Sequence, residues 1–304
     1  MHKKTTIYVK LLIVGLFSLS SCVSGCTTIS LTKGNQREIL PRKSFVQIQQ
    51  SVEVEGCGVD RETKESRCQK AVMKYVSSGA YVFHSEVSQG TSYVLTAGHS
   101  CQSKLPKEQF INGFKVRNLG SKFKAIDLNG FQHDAEVINI NNRFDLCLLR
   151  VSDVLMNPPI LKVADEEPVR GETVTNMAAP HGLFWPGTVL IFKGQFSGYH
   201  NRGYSVYTIP TKPGSSGSPI LNKNNKLVGM IFAGYGMMEN IGLSSPLIAI
   251  KVFLKKSIAM GEMKLWEKTN KPSVNTQIDK VWMEKMKTKL EQTFGDSKYK
   301  PYVK

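Results

Sequence analysis

The chain has 304 residues, 41% of them hydrophobic, and a formal net charge of +16. That length leaves room for about two domain-sized units, and the hydrophobic fraction is ordinary for a globular protein with a sizeable buried core. The charge raises nucleic-acid binding as a class, but its distribution argues against it: 13 lysines against 6 acidic residues fall between Lys251 and Lys304. No aromatic stacking platform or reader motif accompanies them, so a solvated face, or attraction to an anionic membrane or envelope surface, is the reading.

Residues 1–21 begin with His2, Lys3, Lys4 and Lys10, and Leu11–Phe17 is an apolar run too short to span a bilayer. This pattern predicts a secretory signal. It ends in Leu19-Ser20-Ser21-Cys22, which resembles the lipobox of bacterial lipoproteins and implies lipidation at Cys22; Cys26, in Val23-Ser24-Gly25-Cys26, is a second candidate, and ordinary cleavage nearby is the alternative. A Ser/Thr/Gly/Lys-rich tether is expected over 22–45. Export makes the remaining even number of cysteines, Cys57, Cys68, Cys101 and Cys147, candidates for disulfides. Cys57 and Cys68 bracket a short polar loop and are expected to pair. His84, His133, His181 and His200 show no metal-ligand spacing, and neither a metal nor another cofactor is expected.

Short β-type runs then follow one another at 79–84, 92–96, 114–118, 123–128, 135–140 and 146–151, with Asn129-Gly130 and Asn141-Asn142 as turns. A second series covers 173–177, 188–192, 204–209, 218–221 and 226–233, joined to the first through Asn157-Pro158-Pro159-Ile160. The fold class is all-β, and the spacing suits antiparallel barrels. Beyond residue 256, Ile278, Trp282, Met286, Leu290 and Phe294 recur every four residues with Val281 beside them, predicting a helix whose other side is lysine-rich. Such a stripe docks on the chain's own surface or, alternatively, on a membrane or partner.

Three segments carry chemistry. They are Leu95-Thr96-Ala97-Gly98-His99-Ser100-Cys101, Phe144-Asp145-Leu146-Cys147-Leu148-Leu149 and Pro213-Gly214-Ser215-Ser216-Gly217-Ser218-Pro219. In chain order they supply a histidine, an aspartate and a serine, the set that hydroxyl-based acyl transfer uses as base, orienting anion and nucleophile. An α/β-hydrolase elbow is disfavoured, because Ser218 stands where Gly-x-Ser-x-Gly needs its last glycine and the order is wrong. The segments resemble those of the chymotrypsin-like serine proteases, with bacterial members such as the glutamyl endopeptidases and the high-temperature-requirement proteases as the branch. Gly242–Leu254 is similar to the last strand and closing helix of those members.

That resemblance implies two antiparallel β-barrels with a C-terminal helical tail. The protease domain is expected over 46–256, its first barrel at about 70–155 and its second at about 160–256, followed by a basic amphipathic tail over 257–304. It further implies His99, Asp145 and Ser216 as catalytic residues, and the backbone amides of Gly214 and Ser216 as oxyanion hole. Pro210, Thr211 and Lys212 would form one pocket wall and Phe232, Ala233 and Gly234 the other. With no acid at the pocket base, cleavage after Arg or Lys is poorly supported. Glutamate preference is doubtful too, since Ile231 or Phe232 stands where the glutamyl enzymes place a histidine, and Phe232 points toward small or apolar residues. Ser215 replaces the aspartate that receives a new N-terminus in trypsin-like zymogens, so activation by that ion pair is not expected. Cys101 and Cys147 each follow a candidate triad residue by two positions, so assembly of the triad brings them together, either as a pair or as two buried thiols. The expected function is an exported serine endopeptidase acting on protein or peptide, membrane-anchored or secreted, without nucleic acid; the alternative is an inactive protease-like surface or binding protein.

Overall fold

The structure, a computed structural model, describes residues 40–59, 66–102, 105–111, 114–154, 157–236, 238–270 and 276–295. The signal, the lipidation candidates Cys22 and Cys26, and most of the tether lie outside the described residues. Seven strands come first: β1 (Phe45–Val59), β2 (Ser66–His84), β3 (Ser92–Ala97), β4 (Glu108–Ile111), β5 (Phe114–Asp127), β6 (Gln132–Asn141) and β7 (Leu146–Val151). They pair in the order β1-β2-β3-β7-β6-β5, and β1 pairs back onto β5 to close the ring, with β4 added outside β5. Six more follow: β8 (Thr173–Ala178), β9 (Leu190–Tyr199), β10 (Ser205–Tyr207), β11 (Pro219–Leu221), β12 (Leu227–Tyr235) and β13 (Met238–Ser245). These close as β10-β13-β12-β11-β8-β9. Two closed six-stranded antiparallel barrels make the all-β, chymotrypsin-like architecture that the motifs implied.

Two features of the first barrel differ from expectation. The first barrel opens at Phe45 rather than near 70, because Val46, Ile48, Val52 and Val54 alternate inward along β1 and are buried. The runs predicted at 114–118 and 123–128 are a single strand, β5, which passes through Gly120 at φ +142°.

β7 explains why the run after Asp145 reads as continuously apolar. Cys147, Leu149 and Val151 pack inside the first barrel with Ile48, Tyr81 and Val94. Leu146 and Leu148 face the other way, into the larger core shared with the second barrel and the closing helix. The 157–160 link leads into a segment bound to both barrels: Leu161 N–H donates to Tyr81 O, and Ala164 N–H to Leu227 O.

The chain closes with α1 (Leu247–Asn270) and α2 (Thr276–Phe294). Residue 257 is no boundary, because α1 runs unbroken through it. Leu247, Ile250, Leu254 and Ile258 form a buried stripe at helical spacing, and Ser257 and Glu262 beyond them are fully buried. Glu262 is satisfied at both oxygens: Tyr93 Oη donates to one at 2.8 Å and the Glu86 amide to the other at 2.8 Å. α2 lays Met286, Leu290 and Phe294 onto the core and stacks Trp282 on Trp266, whereas Val281 is exposed. Trp282, Met286, Leu290 and Phe294 of the predicted stripe therefore dock on the chain itself, and the side chain of Ile278 lies outside the described residues. Among the described residues no helix is long and apolar enough to cross a membrane.

At the start of α1, Glu167 accepts from the Ile248 amide at 3.3 Å, and its burial pushes the carboxyl above its ordinary range. Between that ordinary range and the raised value the folded chain holds a proton that the unfolded chain has released, so stability falls as pH rises through the window. Glu167→Gln should flatten this decline. The melting temperature of the wild type relative to the variant is expected to drop between pH 4 and pH 8; a constant difference would show that the carboxyl titrates alike in both states.

Candidate active site

His99 sits in a single 3-10 turn, Gly98–Ser100, that ends β3, and Asp145 occupies the turn before β7. Because β3 and β7 are neighbours, paired from Ala97↔Leu146 to Ser92↔Val151, the two turns meet at one rim of the first barrel. Three bonds lock them together. The Gly98 amide donates to Asp145 O at 2.8 Å, the His99 amide to Asp145 Oδ1 at 2.6 Å, and His99 Nδ1 lies 2.5 Å from Asp145 Oδ2. Asp145 adopts φ +52° to do so, a left-handed conformation that Asp and Asn tolerate better than other side chains. With a carboxylate facing Nδ1, the imidazole carries its proton there, leaving Nε2 as an acceptor. Ser216 Oγ, from the loop before β11, donates to it at 3.0 Å.

The Cys101–Cys147 bond joins the turn after His99 to the strand after Asp145, and Cys57–Cys68 links directly opposed positions of β1 and β2. Both pairs were candidates from the sequence.

The loop that carries Ser216 is held by groups that sequence motifs did not single out. Pro213 O accepts a 2.5 Å hydrogen bond from the His181 amide. In a trans peptide the carbonyl and the following N–H point opposite ways, so this bond turns the Gly214 N–H away from His181. Neither the Gly214 nor the Ser216 N–H has a protein acceptor among the described residues. Gly214 has φ +95°, and a Cβ there would overlap Ala179 O and stand 2.9 Å from His181 N, so both conformation and space require glycine. The same holds for Gly217, at φ +85°, where a Cβ would overlap Ser78 O and Thr96 Oγ1.

Ser78, fully buried on β2, is the second contributor. Its amide donates to Ser216 O at 2.8 Å, its hydroxyl donates to Gly214 O at 2.8 Å, and it accepts from the Ala179 amide at 3.0 Å. One serine of the first barrel thus holds the loop of the second. The only signal in the sequence was its setting, Ser77-Ser78-Gly79, small polar residues inside an apolar strand.

The expected pocket walls lie side by side. A Cβ on Gly234 would stand 3.4 Å from Thr211 Cβ, Phe232 O lies 3.4 Å from Ser216 Oγ, and the ring of Tyr204 meets that of Phe232 edge-on at 4.9 Å. β13 packs against the same segment, a neighbour that sequence reasoning missed: the Thr211 amide donates to Glu239 O at 3.2 Å, and a Cβ on Gly242 would stand 2.9 Å from Thr211 Oγ1. The Glu239 carboxylate is ion-paired with Lys212, whose ammonium holds the carboxyl below its ordinary range. It is therefore already matched by a cation of the chain's own.

Residues 77–230 match the family model of the trypsin-like peptidase domain. Among solved structures, the serine endoprotease from Yersinia pestis is similar at 18% sequence identity with a TM-score of 0.48, covering 69% of this chain. The chain spans 63% of the length of that protein. No curated protein matches the sequence. The family match covers half of the chain and takes in the segments of His99, Asp145 and Ser216, and the chain belongs to the trypsin-like peptidase domain family.

Proposed function

We propose that this protein is an exported serine endopeptidase in which Ser216 is the nucleophile, His99 the general base and then acid, and Asp145 the anion that orients and balances it. Ser216 Oγ attacks the scissile carbonyl while His99 Nε2 takes its proton. Asp145 stays ionised against the imidazolium, and the Gly214 and Ser216 amides receive the oxyanion. Collapse of the tetrahedral intermediate passes the Nε2 proton to the leaving amine, and water repeats the sequence on the acyl-enzyme. The observation that carries this reading is the unbroken series from Asp145 Oδ2 to His99 (2.5 Å) to Ser216 Oγ (3.0 Å).

A fluorophosphonate tests it directly. The reagent should label the protein once, with the adduct located by mass spectrometry on the peptide containing Ser216; absence of labelling together with absence of peptide hydrolysis would overturn the proposal. Within the family, Ser218 after the nucleophile's glycine and the β13–α1 closure support a place near the glutamyl endopeptidases and high-temperature-requirement proteases. Phe232 and Tyr204 narrowing the pocket, and Glu239 neutralised by Lys212, favour small or apolar residues before the scissile bond, which profiling with a peptide library checks. Export is supported by the two disulfides and the apolar run over 11–17. Lipidation at Cys22 would appear as a diacylglycerol increment in the mass of the mature protein.

A further inference from the structure

Three segments meet at one end of the first barrel. From Leu40 the chain passes through a 3-10 turn, Arg42–Ser44, into β1. Val46 pairs with Asp127, which sets the β5–β6 turn, residues 127–131, beside that entry. The rings of Phe45 and Phe184 lie 5.6 Å apart, which brings the loop before β9 to the same place. That loop, from the second barrel, is seated on the turn of the first: the Gly187 amide donates to Leu128 O at 2.6 Å, and a Cβ on Gly130 would stand 2.9 Å from Pro186 Cγ.

The junction is firmly built, yet it leaves large apolar groups in water. Trp185, Pro186, Gly187 and Thr188 form a closed turn, in which the Thr188 amide donates to Trp185 O at 2.8 Å and Gly187 takes φ +79°. Trp185 is held at its start and is 54% exposed, with Leu183 at 43% and Phe131 at 55%, whereas Phe45 and Leu128 of the adjoining segments are buried. Exposed apolar groups gathered on fixed turns mark an interaction surface.

Charge indicates what covers it. Arg42 and Lys43 are exposed, and among the described residues neither has an acidic partner. Asp127 is the only acidic residue of the three segments, and its carboxylate is occupied: one oxygen accepts from the Asn129 and Phe131 amides, each at 2.9 Å, and the other lies 3.6 Å from Nε2 of buried His133. Tryptophan and phenylalanine beside arginine and lysine suit the interface of an anionic bilayer, where aromatic rings sit at headgroup level and basic side chains meet lipid phosphate. The course of the chain points the same way. Residues 1–39, with the apolar run at 11–17, join at Leu40, which is 18 positions from Cys22, at most about 65 Å of chain. An anchor at that distance makes docking intramolecular, so a small patch suffices.

We propose that this end of the first barrel docks on a bilayer surface rich in anionic lipid, through Phe131, Leu183 and Trp185 with Arg42 and Lys43 beside them. The inference goes beyond the endopeptidase reading and rests on the export reading for bringing a bilayer within reach.

The test reads the tryptophan emission of the mature protein on vesicles of phosphatidylethanolamine and phosphatidylglycerol with brominated acyl chains. The chain has three tryptophans, and Trp266 and Trp282 stack on each other between α1 and α2, so Trp185 reports alone on the first barrel. Quenching is expected in the wild type and should be lost in Trp185→Phe. Phe131→Ser combined with Leu183→Ser, which keeps the reporter, should weaken it. Vesicles of phosphatidylcholine alone, or Arg42→Glu combined with Lys43→Glu, should each lower it at least about threefold. An unquenched wild type overturns the proposal. So does quenching retained in Trp185→Phe, which would place the contact at the two helices, and so does quenching unmoved by lipid charge and by the charge-reversed variant. A dimer in vesicle-free sedimentation that Trp185→Ser converts to monomer assigns the patch to a second copy and overturns it as well. Fluorophosphonate labelling of these variants and the mass of the mature protein are read separately, so failure of docking leaves the peptidase and lipidation readings standing.

Discussion

Asp145→Asn is expected to lower kcat about ten-thousandfold with the fold intact. The hydrogen bonds dictate why. Asp145 Oδ1 accepts from the His99 backbone amide, which can only donate, so the amide oxygen of asparagine must take that place. Its NH2 then faces His99 Nδ1, in the position of Oδ2. Nδ1 becomes the acceptor, the ring proton moves to Nε2, and Ser216 Oγ meets a donor where it needs a base. Backbone strain does not confuse the result, because asparagine accepts the φ of +52° at this position as readily as aspartate. Steady-state kinetics on a peptide substrate and a thermal melt measure both halves. Loss of activity by less than about tenfold would show that the carboxylate does not set the tautomer.

Ser216→Ala should cost more, about a millionfold in kcat, and should abolish fluorophosphonate labelling. The substitution removes only Oγ, whose bonds are to His99 Nε2 at 3.0 Å and to Phe232 O at 3.4 Å. The backbone of Ser216, including the carbonyl that accepts from Ser78, keeps its place, so the amides of the proposed oxyanion hole remain and a small rate above that in water is expected to persist. A melting temperature within a few degrees of the wild type is expected. Retained hydrolysis at more than about one per cent would place the nucleophile elsewhere.

Where sequence and structure agree, the chemistry was compact enough to be written in short motifs. His99, Asp145 and Ser216 each lie in a short motif, and the structure brings the three side chains within hydrogen-bond distance. The supporting bonds were not legible because they are made by backbone atoms whose partners are remote in sequence: His181 to Pro213, and Ser78 to Ser216 across 138 positions. Burial decided the other differences. Along β1 the alternation of Val46, Ile48, Val52 and Val54 was present, but Gln and Ser between them merged with the polar tether. The outer half of β2 has water on both faces, so no period of two was imposed on it. Glu262 reads as part of a solvated, lysine-rich tail until Tyr93 and the Glu86 amide are found at its two oxygens.

The position of Ser78 has a mechanical consequence. With its amide on the Ser216 carbonyl, its hydroxyl on Gly214 O and the Ala179 amide on that hydroxyl, a single residue of one barrel rivets the Ser216 loop of the other. Rocking of the two barrels against each other would strain these bonds and draw Ser216 away from His99. Heat should then extinguish catalysis and melt the first barrel in a single transition; residual peptidase activity above the midpoint for that barrel would show that the rivet is dispensable.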